Sequence, residues 1–480
     1  MVMFDIASAA VEAALAAGAR YADARVMLRR SEMMSAQNGD VEALRQSEGS
    51  GLGVRALLGS SWGFSATTEL DSVAARRTGT QAAETARAST AVPGPQLDLA
   101  PIPVVTDHWE SGCVEDPLAV SLAVKGDLLV GVTGGMHRAG APVAQASYQI
   151  WDTEKWLVTS EGSRISQRIR ECGAEMSATA VGEAETQRRS YPGIGGQYGT
   201  EGWELVRRLD LPGNADRVAA EAQALLAAPE CPAGVTDLIL GGEQMALQIH
   251  ESVGHAIELD RILGWEAAFA GSSWLDLNRL GTLRYGSDLM NVTADATLPG
   301  ALGSFGYDDE GTPAQSVPIV VDGIWVGVLS GRDTAAIAGV PAGGMVRGDG
   351  FNRLPMVRMT NVGLLPGDSS LTEMIGATDN GILMDTNRSW SIDDKRLNFQ
   401  FGCEIGWEIR HGKRGRMLRN PTYTGVGPRF WASMDMVGGP DEWVFYGTAN
   451  CGKGQPMQVG HTGHPAVPAR FHGVRVGVRG

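Results

Sequence analysis

Positive charge, cysteine pairs and long apolar runs are all scarce in this sequence, and each scarcity excludes something. Its 40 Lys and Arg against 55 Asp and Glu leave a formal charge of −15. The concentrated basic surface that phosphate backbones require is missing, so no nucleic-acid partner is expected. One basic run, IRHGKRGRMLR from Ile409 to Arg419, sits between FGCEIGWEI and NPTYTG and reads as a solvated hairpin tip. No apolar stretch reaches the roughly 20 residues that span a bilayer, so no membrane partner is expected either. The opening segment carries Asp5 and Glu12 with no basic leader, and reads as an amphipathic helix followed by a strand, not a signal peptide. The five cysteines, Cys113, Cys172, Cys231, Cys403 and Cys451, are odd in number and contain no C-x-x-C pair. Reduced thiols in a cytoplasm fit them better than a disulfide framework. The glycine-dense YPGIGGQYGTEG, Tyr191 to Gly202, lacks the G-K-[ST] ending of a phosphate cradle and is read as a flexible loop.

Glycine is abundant. Its 64 residues are roughly twice the usual share of about 7%. Set among many short Val/Ile/Leu runs, they predict a β-rich protein with tight turns. A chain of 480 residues suggests two or three compact units. The pattern predicts an α+β fold: a mixed α/β amino-terminal domain over 1–228, then a β-rich carboxyl-terminal domain over 229–480. The first ninety residues read helix, paired strands, helix. The Pro-rich AVPGPQLDLAPIPVV, Ala91 to Val105, reads as an extended connector, and a break near 91–118 leaves room for two subdomains. Alternating runs up to Val181 predict antiparallel strands, NADRVAAEAQALLAAP a helix, and PECPAG, Pro229 to Gly234, the main boundary. Beyond it, MALQIHESVGHAIELDRIL is the one convincing helix. VPIVVDGIWVGVLS, RLNFQFGCEIGWEI, RFWASMDMVGG and FHGVRVGV read as short β runs.

That helix holds two of the chain's eight histidines in the pattern H-E-x-x-x-H: His250, Glu251, His255. Zinc takes imidazole nitrogen, thiolate or carboxylate in a tetrahedron, with one position left to water when the site is catalytic. Two histidines supply ligands, and the adjacent glutamate can act as a base. A third ligand has to come from elsewhere. The segment TANCGKGQPMQVGHTGH offers Cys451, His461 and His464, while Glu258 is read as a partner of a ligand. The same residues could instead form a hydrogen-bonded helix face, and Cys451 a small buried hydrophobe. The spacing carries its own consequence. On a regular α-helix, residues five apart differ by about 140° and could not share an ion. A one-turn π-bulge would return both imidazoles to one face, and Gly254 inside the span eases such a distortion or close packing there.

The chain resembles the TldD/PmbA family. The resemblance rests on HESVGHAIELD (His250 to Asp260), YDDEGTPAQ (Tyr307 to Gln315), RLPMVRMTNVGLLPG (Arg353 to Gly367), CGKGQP (Cys451 to Pro456) and GLGVRALLGSSWGFS (Gly51 to Ser65), in the family's order and spread over nearly the whole chain. TldD-type members are zinc metallopeptidases, whereas the PmbA (TldE) partner type lacks the histidine motif. The resemblance therefore implies one zinc per chain on His250, His255 and Cys451, with Glu251 activating water. It also implies unfolded or small peptides as substrates, and a homodimer or a heterodimer with a TldE/PmbA-type paralogue. The stretch from Gly376 to Phe401 departs from the TldD pattern, and so do the extra histidines of the tail; these departures bear on substrate preference and partner choice. Two rivals stay in view. One is a zinc hydrolase with the deformylase-like ligand set, whose cysteine precedes its helix. The other is a non-catalytic scaffold or partner subunit, which the intact histidine motif argues against.

Overall fold

The computed structural model describes residues 2–92, 97–269 and 271–477. Residues 93–96 of the Pro-rich connector, and residue 478 at the end of the FHGVRVGV run, lie outside the described residues.

The amino-terminal half is built on long antiparallel strands. Tyr21–Gln37 pairs along its whole length with Asp40–Leu58 on one side and, from Asp23 on, with Val143–Thr159 on the other. Ser61–Thr67 extends one flank, and Arg164–Val181 the other. Thr106–Glu110 then adds in parallel. Alternating burial along Val143–Thr159 leaves small and apolar residues such as Ala144, Ala146, Tyr148 and Ile150 inward, the period-2 pattern of a half-buried strand. Helices cover the sheet. Val2–Ala16 buries Ile6, Ala7, Ala10, Val11 and Ala14, one face at helical spacing. Ser72–Ser89 is capped by Asp71, whose carboxylate accepts from the backbone of Val73 and Ala74. Leu122–Arg138 and Leu211–Ala227 pack together farther along.

In the second half five strands close into a barrel in the order Asn380–Ile392, Gly234–Leu240, Ala469–Val476, Thr422–Val426 and Asn398–Arg410, with the last pairing back to the first. Closure removes the unpaired edges that a sheet would expose. Asn398–Arg410 turns through His411 and Gly412 into Lys413–Leu418, so the basic run is a hairpin tip, as read from its flanks. Two expectations are corrected here. The histidine segment is not one continuous helix: Gly242–Ile249 runs into a wider turn, and Glu258 is extended before the short helix Leu259–Ile262. Nor is it the sole helix of this half. Arg332–Ala338, Leu371–Gly376 and Gly427–Ala432 are helical, the last where a β run was expected, with Pro428 pre-setting the first turn.

Two features position the site. The barrel strand Gly234–Leu240 hands directly to helix Gly242–Ile249, and the hairpin Val444–Lys453/Gln458–Ala466 lies against that helix. Every apolar cluster among the described residues draws from one side of residue 229 or the other. Buried charge also ties the two sides together: Asp309 binds Arg25 and Lys155, each at 2.9 Å, and Arg55 bridges Asp23 and Glu310.

Candidate metal centre

At His250 the helix widens by one residue. His255 N–H donates to the His250 carbonyl at 3.1 Å, an i to i+5 bond, over the turn His250–Gly254. This is the π-turn that the five-residue spacing requires. The Ser252 carbonyl accepts from the Tyr285 hydroxyl at 2.6 Å, and its Oγ from the Trp431 indole at 3.0 Å. Gly254 matters for packing: a Cβ there would collide with Sδ of Met359. The imidazoles of His250 and His255 consequently meet edge to face, centroids 4.8 Å apart.

The third donor comes from the hairpin. Cys451 lies at a register shift of the Val444–Lys453 strand, opposite Gly460, and its Sγ is 3.7 Å from His255 Nε2. One donor atom each from His250, His255 and Cys451 lies within 4.8 Å of the others; among the described residues this is the only group of three His, Cys or carboxylate donors that converges so closely. All three are buried.

Hydrogen bonds select the free nitrogens. His464 Nδ1 donates to the Val362 carbonyl at 3.0 Å, so its Nε2 accepts from His250 Nδ1 at 2.7 Å. His255 Nδ1 donates to Glu258 at 2.9 Å. Both motif histidines thereby keep Nε2 as a lone pair, and each has the outer partner that metal-binding histidines need. Glu258 is itself held by Lys453 at 3.1 Å and Arg261 at 3.2 Å. Burial raises its carboxyl, but Lys453 and His255 outweigh that and hold it well below the usual range. Burial also lowers the pKa of His250 and of His255, favouring neutral imidazoles. For Cys451 burial works upward, but His255 and Arg358 prevail and bring the thiol below its ordinary value. The Arg358 guanidinium donates to the Cys451 carbonyl.

Glu251 faces the same cleft and receives Arg396 at 2.9 Å. The cleft has a volume of about 430 Å³. Its walls are Gly242–Ile249, the hairpin residues Tyr446 to Gly452, the loop Pro192 to Gln197 and the Trp390 ring. The Tyr191 to Gly202 segment, read as a flexible loop, lends Pro192 to Gln197 to a cleft wall, and the stretch Gly376 to Phe401 contributes Asn387, Trp390 and Arg396. His461 is not with the donors; it pairs with Glu171 at 3.0 Å and packs on Trp151. His464 joins through His250, as Glu258 does through His255. Sequence reasoning missed Arg396 and Lys453, and the sole signal for either was the CGK triplet holding Lys453.

Comparison with known proteins agrees across the chain. Residues 22–90, 115–226 and 233–476 match the family patterns described as PmbA/TldA metallopeptidase domain 1, central domain and C-terminal domain. A metalloprotease of Methanocaldococcus jannaschii is 28% identical over 453 residues, covering 92% of this chain and 94% of that protein. A protein of Saccharolobus solfataricus named as a zinc metalloprotease TldD homologue is 28% identical over 189 residues, 39% of this chain and 40% of its own. The crystal structure of TldE from Thermococcus kodakarensis shares the fold, with a TM-score of 0.71, 16% identity and coverage of 97% of this chain and 98% of that one.

Proposed function

Because the chain belongs to the PmbA/TldD metallopeptidase family, we propose that it is a zinc-dependent peptidase of the TldD type, with zinc held by His250, His255 and Cys451 and Glu251 as the base. The observation that supports this most is the convergence of two imidazole nitrogens and a thiol at the π-turn. Two nitrogens and a sulfur suit zinc, whereas magnesium and calcium prefer oxygen. With three protein donors, a bound zinc would keep room for water, as catalytic zinc sites do. Bound zinc would supply a Lewis acid that acidifies water and polarises a carbonyl oxygen. Glu251 accepts the proton of the attacking water and returns it to the leaving amine. Arg396, at 2.9 Å, orients that carboxylate.

Unfolded or small peptides are the proposed substrates. An extended peptide can add as a strand beside a sheet edge, and the Val444–Lys453 strand, paired only with Gln458–Ala466 among the described strands, runs along the cleft. We read the chain as two units, 1–228 and 229–480, on the strength of their separate apolar clusters, working as a homodimer or beside a TldE/PmbA-type paralogue. The cytoplasm is the compartment that the five unpaired cysteines favour. No helix among the described residues is long and apolar enough to cross a membrane.

The Glu251→Gln variant tests the base. It keeps size and a hydrogen bond but removes the proton acceptor, so zinc content should match wild type while peptide hydrolysis falls by a factor on the order of 10²–10⁴. Near wild-type turnover would move the base elsewhere.

A further inference from the structure

The cleft continues beyond the metal donors along helix Gly242–Ile249. Glu243, Ala246, Leu247 and His250 all line it, the i, i+3, i+4, i+7 face of helix Gly242–Ile249 and the turn that follows. Seven residues at 1.5 Å each place Glu243 about 10 Å from His250 along the helix axis. An extended peptide covers that distance in about three residues at roughly 3.3 Å apiece.

Beside the Tyr446 hydroxyl, two groups at that end offer acceptor oxygens. Glu243 Oε2 takes the backbone N–H of Asn387 at 2.6 Å. Asn387 is buried on the same wall, and its Oδ1 has no hydrogen-bond partner. Behind Glu243 stands the Asp385 carboxylate. Arg189, the cation whose charge bears on Glu243, already binds Glu221 at 2.9 Å and Glu404 at 3.0 Å. Burial and the Asp385 charge push the Glu243 carboxyl up to about 8, as happens where negative groups lack a counter-charge. An unpartnered buried acceptor beside such a carboxyl calls for a donor that is also a cation.

We propose that Glu243 and Asn387 form a subsite for a cationic group of the peptide, a basic side chain or the chain's amino terminus, about three residues from the bond cleaved at the metal. The placement of the cleaved bond rests on the peptidase reading; the cation preference does not.

Titration calorimetry on the full chain carrying Glu251→Gln tests it, since bound peptides then persist. The probes are alanine-based octapeptides with one lysine moved through successive positions, the same peptides with norleucine in its place, and each with a free or acetylated amino terminus. Tenfold or tighter binding of lysine over norleucine at one position, erased to within twofold by adding Glu243→Gln, identifies a side-chain subsite. The same discrimination between free and acetylated termini identifies the terminal amine. Equal affinities for all four forms overturn the proposal without any Glu243 variant, and so does a preference that survives Glu243→Gln. Cation selection in a protein whose unsubstituted form cleaves no peptide would retain the subsite and defeat the peptidase reading; cleavage without cation selection would do the reverse.

Discussion

An imidazole has one lone pair to give, and the partner of its other nitrogen decides where that lone pair points. At the residue scale this makes His464 and Glu258 as informative as the donors they hold. His464→Ala removes the acceptor that fixes His250 Nδ1 as the donor, so zinc affinity, measured by competition with a chelator, should fall by about 10–100-fold. An unchanged affinity would show that His250 needs no such partner. His250, Glu251 and His255 were legible in the sequence because they sit on one short segment whose chemistry is local, and Cys451 through its CGK context. That His464 holds His250 rather than donating itself, and that Arg396 holds Glu251, was not, because these contacts span 214 and 145 residues. No spacing rule on a single chain connects such positions before the barrel and hairpin bring them together.

Within the helical segment, the departure from helical geometry was legible as arithmetic: two ligands five positions apart require a π-turn if both are to face one ion. What anchors that turn was not, since Tyr285, Trp431 and Met359 arrive from elsewhere in the chain. The end of the helical segment was also misjudged, because the apolar spacing of Ile257 and Leu259 continues through a backbone that has already become extended at Glu258. Gly254→Val should force Met359 aside, destabilise the fold by about 1–3 kcal/mol in chemical denaturation, and weaken zinc binding with it. Adding Met359→Ala should restore part of both. Failure of the double variant to recover either would mean that Gly254 serves the turn by its backbone freedom and not by the room it leaves.

Across the whole molecule, α+β character and a β-rich second half followed from glycine content and alternating runs. Closure of the barrel did not, since it depends on Asn380–Ile392 pairing with strands both before and after it in sequence. YDDEGTPAQ stood out as a family match with no evident role. The structure makes it a clasp, with Asp309 between Arg25 and Lys155 from the other half. Burial opposes the Asp309 charge, but Arg25 and Lys155 prevail and hold its carboxyl well below the ordinary range. Asp309→Asn leaves two buried cations short of their counter-charge and should cost about 3–5 kcal/mol. A depressed carboxyl contributes stability that is present above its unfolded pKa of about 4 and lost as pH falls toward the folded value. Wild type should therefore lose stability more steeply below about pH 4 than Asp309→Asn does, in denaturation followed across pH. Parallel pH profiles would remove Asp309 from the clasp.

The proposed function stands or falls with one metal ion held between the π-turn histidines and the hairpin cysteine. Elemental analysis of the purified chain and of its His255→Ala and Cys451→Ala variants tests it most directly. Wild type should carry one zinc per chain, and each variant that remains folded by circular dichroism well under one. Stoichiometric zinc in both folded variants would contradict it.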